Sequence, residues 1–430
     1  MTKFLFASFP VTGHVNPGLP IARELVARGH DVRWYSTHRF RRAIESTGAR
    51  FVPFRRATPI DETRLSELYP ERPSSGLAQI QWDVKHIFID SVRLQFADLV
   101  EELEREPAEV IVGDNASVAA ATIQERFGLQ WAVYGVTVPA FSSRDTAPFG
   151  LALMPSSSPI GRLRNRLLTW INDRIIFRAA AKHLEVVRRE LGLSYYGGGV
   201  FDFIRRADLI LQGSVATFEY PRTDMPPQLR FIGATIPPVP SDWMPPSWWG
   251  DLVGRQVVLI TQGTINNDYD QLIRPAIRAL AGEDVLVVVT TGSRPPGDVE
   301  IEPLPDNVRV ERFIPYAKLM PKVDVLVTNG GFGSVQIALA HGVPIVAIGK
   351  TEEKPELINR INWSRVGVGL KELVPTETQV RDAVTRVLTN PSYAIRASSI
   401  RHEMAGLDAP VRAADLLEEL TQQEPLAVSA

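Results

Sequence analysis

Runs of consecutive apolar residues alternate with amphipathic stretches along the first half of the chain, and the alternation resumes after a proline-rich gap. In the first series, residues 4–9, 32–36, 110–113 and 131–136 are near-continuously apolar, the pattern of parallel strands covered on both faces. Residues 17–28, 39–47, 82–104 and 118–127 between them read as helices. The second series places strands at 257–261, 285–290, 308–311, 323–327 and 343–348, again with helices between. This pattern predicts an α/β protein of two successive doubly wound halves. The duplication is one of architecture, and no short sequence period is present.

The breaks in the pattern set the expected boundaries. Residues 139–159 are rich in Pro, Ser and Thr, which predicts a mobile loop. Residues 163–191 then form a long, basic, amphipathic stretch. A helix packed beside the cleft is the expected reading, and a helix touching a membrane surface is the alternative. Proline and tryptophan cluster from Pro237 to Trp249, so 236–255 reads as a linker between domains 1–235 and 256–408. Residues 393–420 read as helix, with 409–430 crossing back onto the first domain.

Composition narrows the class. A chain of 430 residues exceeds the size of one core, and 44% hydrophobic with 22% charged residues is globular. A net charge of −2 gives no electrostatic case for nucleic acid. The absence of cysteine excludes disulfides and thiolate chemistry and fits a cytoplasmic protein. The N-terminus enters a strand directly, without a signal-peptide pattern. No apolar run approaches the ~18 residues of a membrane span.

Two constellations carry chemistry. Asn329-Gly330-Gly331-Phe332-Gly333-Ser334 joins an apolar run to a helical segment that His341-Gly342 closes. Free N–H groups and the dipole of that helix would face an anion there. Gly330, Gly331 and Gly333 would admit the backbone to a diphosphate, and Ser334 would add a hydroxyl. On pattern alone an ordinary tight turn explains the segment equally well. In the first half, Gly13-His14-Val15-Asn16-Pro17 follows the first strand, and Pro17 opens a helix. His14 is thereby placed at the carboxyl end of a strand, where open α/β sheets bind ligands and a histidine can serve as general base. Asp114 ends another strand and would orient the imidazole. A structural or solvated histidine is the alternative. His30, after Gly29, reads as a helix-terminal charge.

Together these residues resemble the family 1 glycosyltransferases of the GT-B fold over essentially the whole chain. The family's Gly-His-x-x-Pro loop is matched by Gly13-His14-Val15-Asn16-Pro17, and its paired aspartate by Asp114. Its small-residue donor turn is matched by Thr261-Gln262-Gly263-Thr264, and its Trp-x-Pro-Gln by Phe313-Ile314-Pro315-Tyr316. Its His-Gly-Gly-x-x-Ser becomes Asn329 to Ser334, and Gly342-Val343-Pro344 is intact.

The resemblance implies two Rossmann-like domains whose parallel sheets face a central cleft. It implies an inverting transfer without cofactor or metal, in which His14 deprotonates the acceptor and Asp114 orients it. Gly263, Thr264, Asn329, Gly330, Gly331, Gly333 and Ser334 would hold the donor diphosphate, Phe313 and Ile314 its base, and Glu353 and Lys354 its sugar. Phe9, Pro10, Trp82 and Phe141 would line a pocket for a lipophilic hydroxyl-bearing acceptor such as a polyphenol or flavonoid, macrolide or polyketide.

The departures point to the donor. Asn329 replaces a histidine with a neutral amide. Ile337 stands where the family's ribose-binding glutamate falls, and Lys354 where a sugar-binding glutamine falls. A dTDP-sugar, with a 6-deoxyhexose such as rhamnose, is therefore expected to be used at least as well as a UDP-sugar. Among rivals, a dinucleotide-dependent oxidoreductase lacks its Gly-x-Gly-x-x-Gly after the first strand. A sugar-nucleotide epimerase of the same fold would need further carboxylates. A non-catalytic helper would not need His14, Asp114, Thr264 and the glycine turn.

Overall fold

The computed structural model describes residues 1–61, 64–73, 76–263, 268–292, 294–351 and 353–422. It divides into two compact units, one of Met1–Gly213, Pro221–Thr235 and Asp408–Ala430, the other of Ser214–Tyr220 and Ile236–Leu407.

The first unit holds seven strands among the described residues: β1 (Lys3–Ala7), β2 (Asp31–Ser36), β3 (Arg50–Pro53), β4 (Val110–Asp114), β5 (Gln130–Gly135), β6 (Leu209–Gln212) and β7 (Leu229–Phe231). All pair in parallel, in the order β3-β2-β1-β4-β5-β6-β7. The second holds six: β8 (Val257–Thr261), β9 (Leu286–Thr290), β10 (Val308–Glu311), β11 (Val325–Thr328), β12 (Ile345–Ile348) and β13 (Gly367–Leu370). These are also parallel, in the order β10-β9-β8-β11-β12-β13. Each sheet reverses its strand order once, between β1 and β4 and between β8 and β11. A crevice opens beyond the carboxyl ends of the strands at such a point.

Strands β4, β5, β8, β9, β11 and β12 are buried at every residue, which is why their apolar runs are legible. Of the strands absent from the apolar pattern, β6 is buried throughout but only four residues long, and the others have a local reason. β3 and β7 are short and carry exposed arginines. β13 contains Gly367, where a Cβ would stand 1.8 Å from the Ile345 carbonyl oxygen, so close packing on β12 requires glycine.

Three expected segments are built differently. Residues 82–104 are not one helix: Gly76–Trp82 is α-helical, Asp83–Ile89 widens into a π-helix, and Val92–Arg105 is α-helical again. The 163–191 stretch divides likewise into Pro159–Ile171, a π-turn Asn172–Ile176, and Arg178–Glu190. The 393–420 helix is two, Pro391–Ala405 and Ala409–Thr421, because Asp408 caps the second and Pro410 follows in its first turn. This last helix packs Ala413, Ala414, Leu417 and Leu420 into the core of the first unit. Arg28 reaches its Asp415 at 2.7 Å and its Glu418 at 2.9 Å.

The segment after β5, expected to be mobile, is tied down. Ser142 Oγ donates to Asp202 at 2.8 Å, and Ser143 Oγ to Asp224 at 2.6 Å. Asp145 is buried and accepts from the Thr223 hydroxyl at 2.6 Å and from Arg162 at 2.8 Å. Burial opposes its charge, but the bonds from Thr223 and Arg162 outweigh that and hold the carboxyl at about 2. Polar composition marks a segment without strand or helix, and here its side chains supply its anchors.

Candidate active site

At the switch point of the first sheet, the chain leaves β1, makes a tight turn at Pro10 (Val11 N to Phe9 O, 2.9 Å), and winds into one helical turn, Thr12–Val15. His14 therefore sits on a short helix rather than in an open loop. Pro17 caps the next helix, Gly18–Ala27, from the position before its first residue. His14 Nδ1 lies 2.8 Å from Oδ1 of Asp114, the last residue of β4. Asp114 is fully buried, and its carboxylate also accepts from the backbone N–H of Phe9 (2.5 Å) and of Ala116 (2.7 Å). A buried carboxylate so held fixes the proton on Nδ1 and leaves Nε2 as the basic nitrogen. Tyr134 steadies the same turn by donating its hydroxyl to the His14 carbonyl at 2.9 Å. Burial, with Asp114 nearby, pushes that phenol well above its usual range, so it stays a donor.

An apolar wall adjoins the imidazole. The Phe9 ring lies 5.6 Å from His14 and 4.7 Å from Phe88, and Phe9, Val11, Ile60 and Ile87 form a small core with Trp82 and Phe88 against it. The Trp82 ring lies tilted 4.8 Å from His86 and edge-on 5.3 Å from Tyr69. Pro10 is buried in the turn itself. Phe141 is the exception among the expected lining residues. It is 3% exposed, packed in the sheet core, with Arg222 and Arg205 guanidiniums 5.0 and 5.4 Å from its ring centre. Its face is already covered, so it offers nothing to an acceptor. Phe88 was not legible in the pattern, because the π-helix shifts the helical phase that assigns faces.

At the switch point of the second sheet, β11 runs into Asn329 and Gly330, and the helix Phe332–Ala340 begins with Gly331 as its cap. Gly330 has φ of 90°, a conformation that favours glycine. No side chain caps this helix, so its first-turn N–H groups point outward unsatisfied by it. Gly333 sits in that first turn with open space around its Cβ position. Ser334, expected to offer its hydroxyl outward, donates instead to the Gly331 carbonyl at 2.9 Å and meets Thr328 Oγ1 at 3.3 Å. Its short side chain bonds its own turn.

Asn329 Nδ2 donates to the Gln262 carbonyl, tying the turn after β11 to the turn after β8. Its Oδ1 is buried with no partner among the described residues. Gly263 lies beside this amide, 3.6 Å from it at the Cβ position. Thr264 lies outside the described residues. Lys354 is 5% exposed, not a surface residue, and its Nζ reaches Thr351 Oγ1 at 3.2 Å. Its side chain packs under Gly330 and Gly349, while Glu353 precedes it at the start of the helix Lys354–Ser364.

After β10, Phe313 presents a 59% exposed ring, whereas Ile314 is buried and can serve a ligand only through its backbone. Tyr316 donates to Thr261 Oγ1 at 2.9 Å and lies 3.3 Å from Thr290 Oγ1, joining this turn to the ends of β8 and β9. Ile337 is buried on the helix behind the glycine turn. Its neighbour Gln336 is 2% exposed, with neither amide atom hydrogen-bonded among the described residues. Nothing in the helical pattern singled it out.

Among the described residues no group of three His, Cys, Asp or Glu side chains is placed to hold a metal. The one Asp-x-Asp spacing in the chain, Asp268-Tyr269-Asp270, serves locally: Asp268 caps a short helix and Asp270 pairs with Arg274 at 2.9 Å. No helix among them is long and apolar enough to cross a membrane.

Residues 276–420 match the family described as erythromycin biosynthesis protein CIII-like, C-terminal domain. The chain is 48% identical over 421 residues to 4'-demethylrebeccamycin synthase of Lentzea aerocolonigenes, covering 97% of this chain and 99% of that one. It is 34% identical over 438 residues to UDP-glycosyltransferase 2 of Phaeomoniella chlamydospora, covering 97% and 95%. The solved structure of the kitacinnamycin glycotransferase matches with a TM-score of 0.75 at 22% identity, covering 98% of this chain and 99% of that one.

Proposed function

We propose a mechanism and ligand classes from the premise that this chain belongs to the family 1 natural-product glycosyltransferases, enzymes that move a sugar from a nucleotide to a small molecule. The reaction is an inverting transfer. His14 Nε2 takes the proton of an acceptor hydroxyl as its oxygen bonds to the anomeric carbon. The bond from that carbon to the diphosphate breaks on the opposite face, and its electron pair leaves with the phosphate. Asp114 holds the imidazole and stabilises the charge it gains. The observation that carries this reading is the 2.8 Å contact between His14 and a buried Asp114 at the switch point of the first sheet.

In this scheme, charge on the departing diphosphate is met by the N–H groups at the start of Phe332–Ala340 and by Lys354, without a metal. Gly331 gives a clean test. A Cβ there meets only Ser334 Oγ at 3.7 Å and Asn329 Oδ1 at 3.9 Å, so Gly331→Val keeps the fold while its methyls cover the helix terminus. Nucleoside diphosphate affinity, read by calorimetry, is expected to fall at least about tenfold, the value of one charge-assisted hydrogen bond. Unchanged affinity would remove the turn from the site.

The acceptor we assign is a flat lipophilic molecule bearing a hydroxyl, seated on Phe9, Phe88 and Trp82 beside His14. The name of the Lentzea relative, 4'-demethylrebeccamycin synthase, supports a small-molecule acceptor. EDTA-treated protein given a nucleotide sugar and a panel of polyphenols and polyketides is expected to glycosylate at least some members. Activity that requires added divalent metal would overturn the metal-free scheme.

The donor we assign is a dTDP-sugar. A ribose 2′-hydroxyl placed where Ile337 stands finds no carboxylate, a loss of about 1–3 kcal/mol that thymidine nucleotides avoid. Lys354 in place of a glutamine changes the hydrogen bonds offered to the sugar and favours a 6-deoxyhexose such as rhamnose. The name of the fungal relative pulls toward UDP, so a direct competition is decisive. We expect dTDP to compete at least as well as UDP, and a UDP preference of about tenfold or more, ~1.4 kcal/mol, would reject the assignment.

A further inference from the structure

The basic stretch after residue 158 does not pack as one body. Arg178–Glu190 turns Ala180, Leu184 and Val187 inward. The helix Pro159–Ile171 is held on one side only, by buried Gly161 and Asn165, whose Nδ2 donates to the carbonyls of Arg144 at 3.0 Å and Ser156 at 3.3 Å. On the other side Ile160, Leu163, Leu167 and Trp170 are 82, 68, 56 and 57% exposed. At about 100° per residue these four occupy one arc roughly 80° wide, with Arg166 beyond one edge and Arg164 beyond the other. Exposed Met154, whose carbonyl accepts from Arg164 at 3.2 Å, and exposed Ile175 in the following π-turn extend the apolar surface.

The charges on the helix itself have one sign. Pro159–Ile171 contains no acidic residue, and Arg164 bonds the Asn165 amide and the Met154 carbonyl rather than a carboxylate, while Asp173 in the following π-turn faces Arg174. We propose that this helix docks the enzyme on an anionic lipid bilayer, lying in the plane of the interface. An apolar centre with basic margins is the geometry of an interfacial helix: the stripe enters the acyl boundary while the arginines extend to the headgroups. Trp170 suits the same depth, with an apolar ring and one polar N–H.

A second copy of the chain fits less well. Isologous pairing would bring the arginine margins of two helices together, and two heptads are too few to hold a coiled coil against that repulsion. The proposal does not rest on the identity of donor or acceptor.

Flotation of the purified full chain with vesicles of phosphatidylcholine alone, and with roughly one-third phosphatidylglycerol, tests it. We expect recovery with the anionic vesicles, weakened by salt as screening requires. Leu163→Glu/Leu167→Glu is expected to lower that partition at least about tenfold, since it puts two charges into the stripe. Arg164→Glu/Arg166→Glu is expected to abolish the preference for anionic lipid while keeping the wild-type thermal transition, and it decides the matter if the leucine pair fails to fold. No recovery in the lipid fraction, or equal partition by both variants, would overturn the proposal. So would a dimer in light scattering that Leu163→Glu/Leu167→Glu splits, which would assign the stripe to self-association.

Discussion

His14→Ala is expected to lower kcat by about 10²–10⁴-fold, the usual contribution of a positioned general base. Nucleoside diphosphate affinity should be unchanged, because the donor residues belong to the other compact unit. Asp114→Asn is expected to cost less or as much. An amide in that position can present its N–H to Nδ1, which moves the imidazole proton to Nε2 and leaves no lone pair for the acceptor. The backbone N–H groups of Phe9 and Ala116, both now donating to the carboxylate, would lose part of their acceptor as well. The double variant should be little worse than His14→Ala, since the two residues act as one unit. Initial-rate kinetics on the three variants measure this. Turnover of His14→Ala within about tenfold of wild type would remove the residue from the mechanism.

The second large effect concerns stability. Ser214–Tyr220 belongs to the second unit, although its flanking sequence belongs to the first. Glu219 in that segment grips Arg360 with two bonds, of 2.7 and 2.9 Å, and both side chains are buried. The guanidinium also donates to the Glu356 carbonyl at 3.0 Å and lies 4.2 Å from the centre of the Tyr220 ring. Glu219→Ala would leave a buried cation short of its main counter-charge, a cost of about 3–5 kcal/mol. For a unit of this size that is a fall in Tm of order 10 °C. Glu219→Leu with Arg360→Met is expected to recover only part of the loss, because buried Glu356, whose carboxylate lies 3.3 Å from the guanidinium, then loses that cation. Calorimetric scans of the three proteins decide it, and a Tm for Glu219→Ala within about 2 °C of wild type would mean that the pair contributes little.

Much of this architecture was legible because parallel sheets covered on both faces demand continuous apolar runs, as in Val257–Thr261 and Val325–Thr328. Strands that break that demand were not legible: β7 is short with an exposed arginine, and β13 trades side chains for glycine. His14 and Asp114 could be read because each follows or ends such a run, and strand order, which the sequence does not state, then makes the runs neighbours. Phe141 was misread for a related reason. Its loop looks polar, yet distant Arg205 and Arg222 fold over the ring, a contact with no local signature. Lys354 stands among acidic neighbours in the sequence and is nonetheless buried, because a turn of Pro355-led helix carries it beneath Gly330 and Gly349. Ser334 had the right position in the motif, but its hydroxyl is taken by the Gly331 carbonyl one turn back.

The most direct test of the central claim is the anomeric configuration of the product formed from an α-linked nucleotide sugar. With EDTA-treated protein and a phenolic acceptor, a single in-line displacement assisted by His14 predicts a β-linked glycoside by proton NMR. An α-linked product would require two displacements or front-face attack, and would contradict the account.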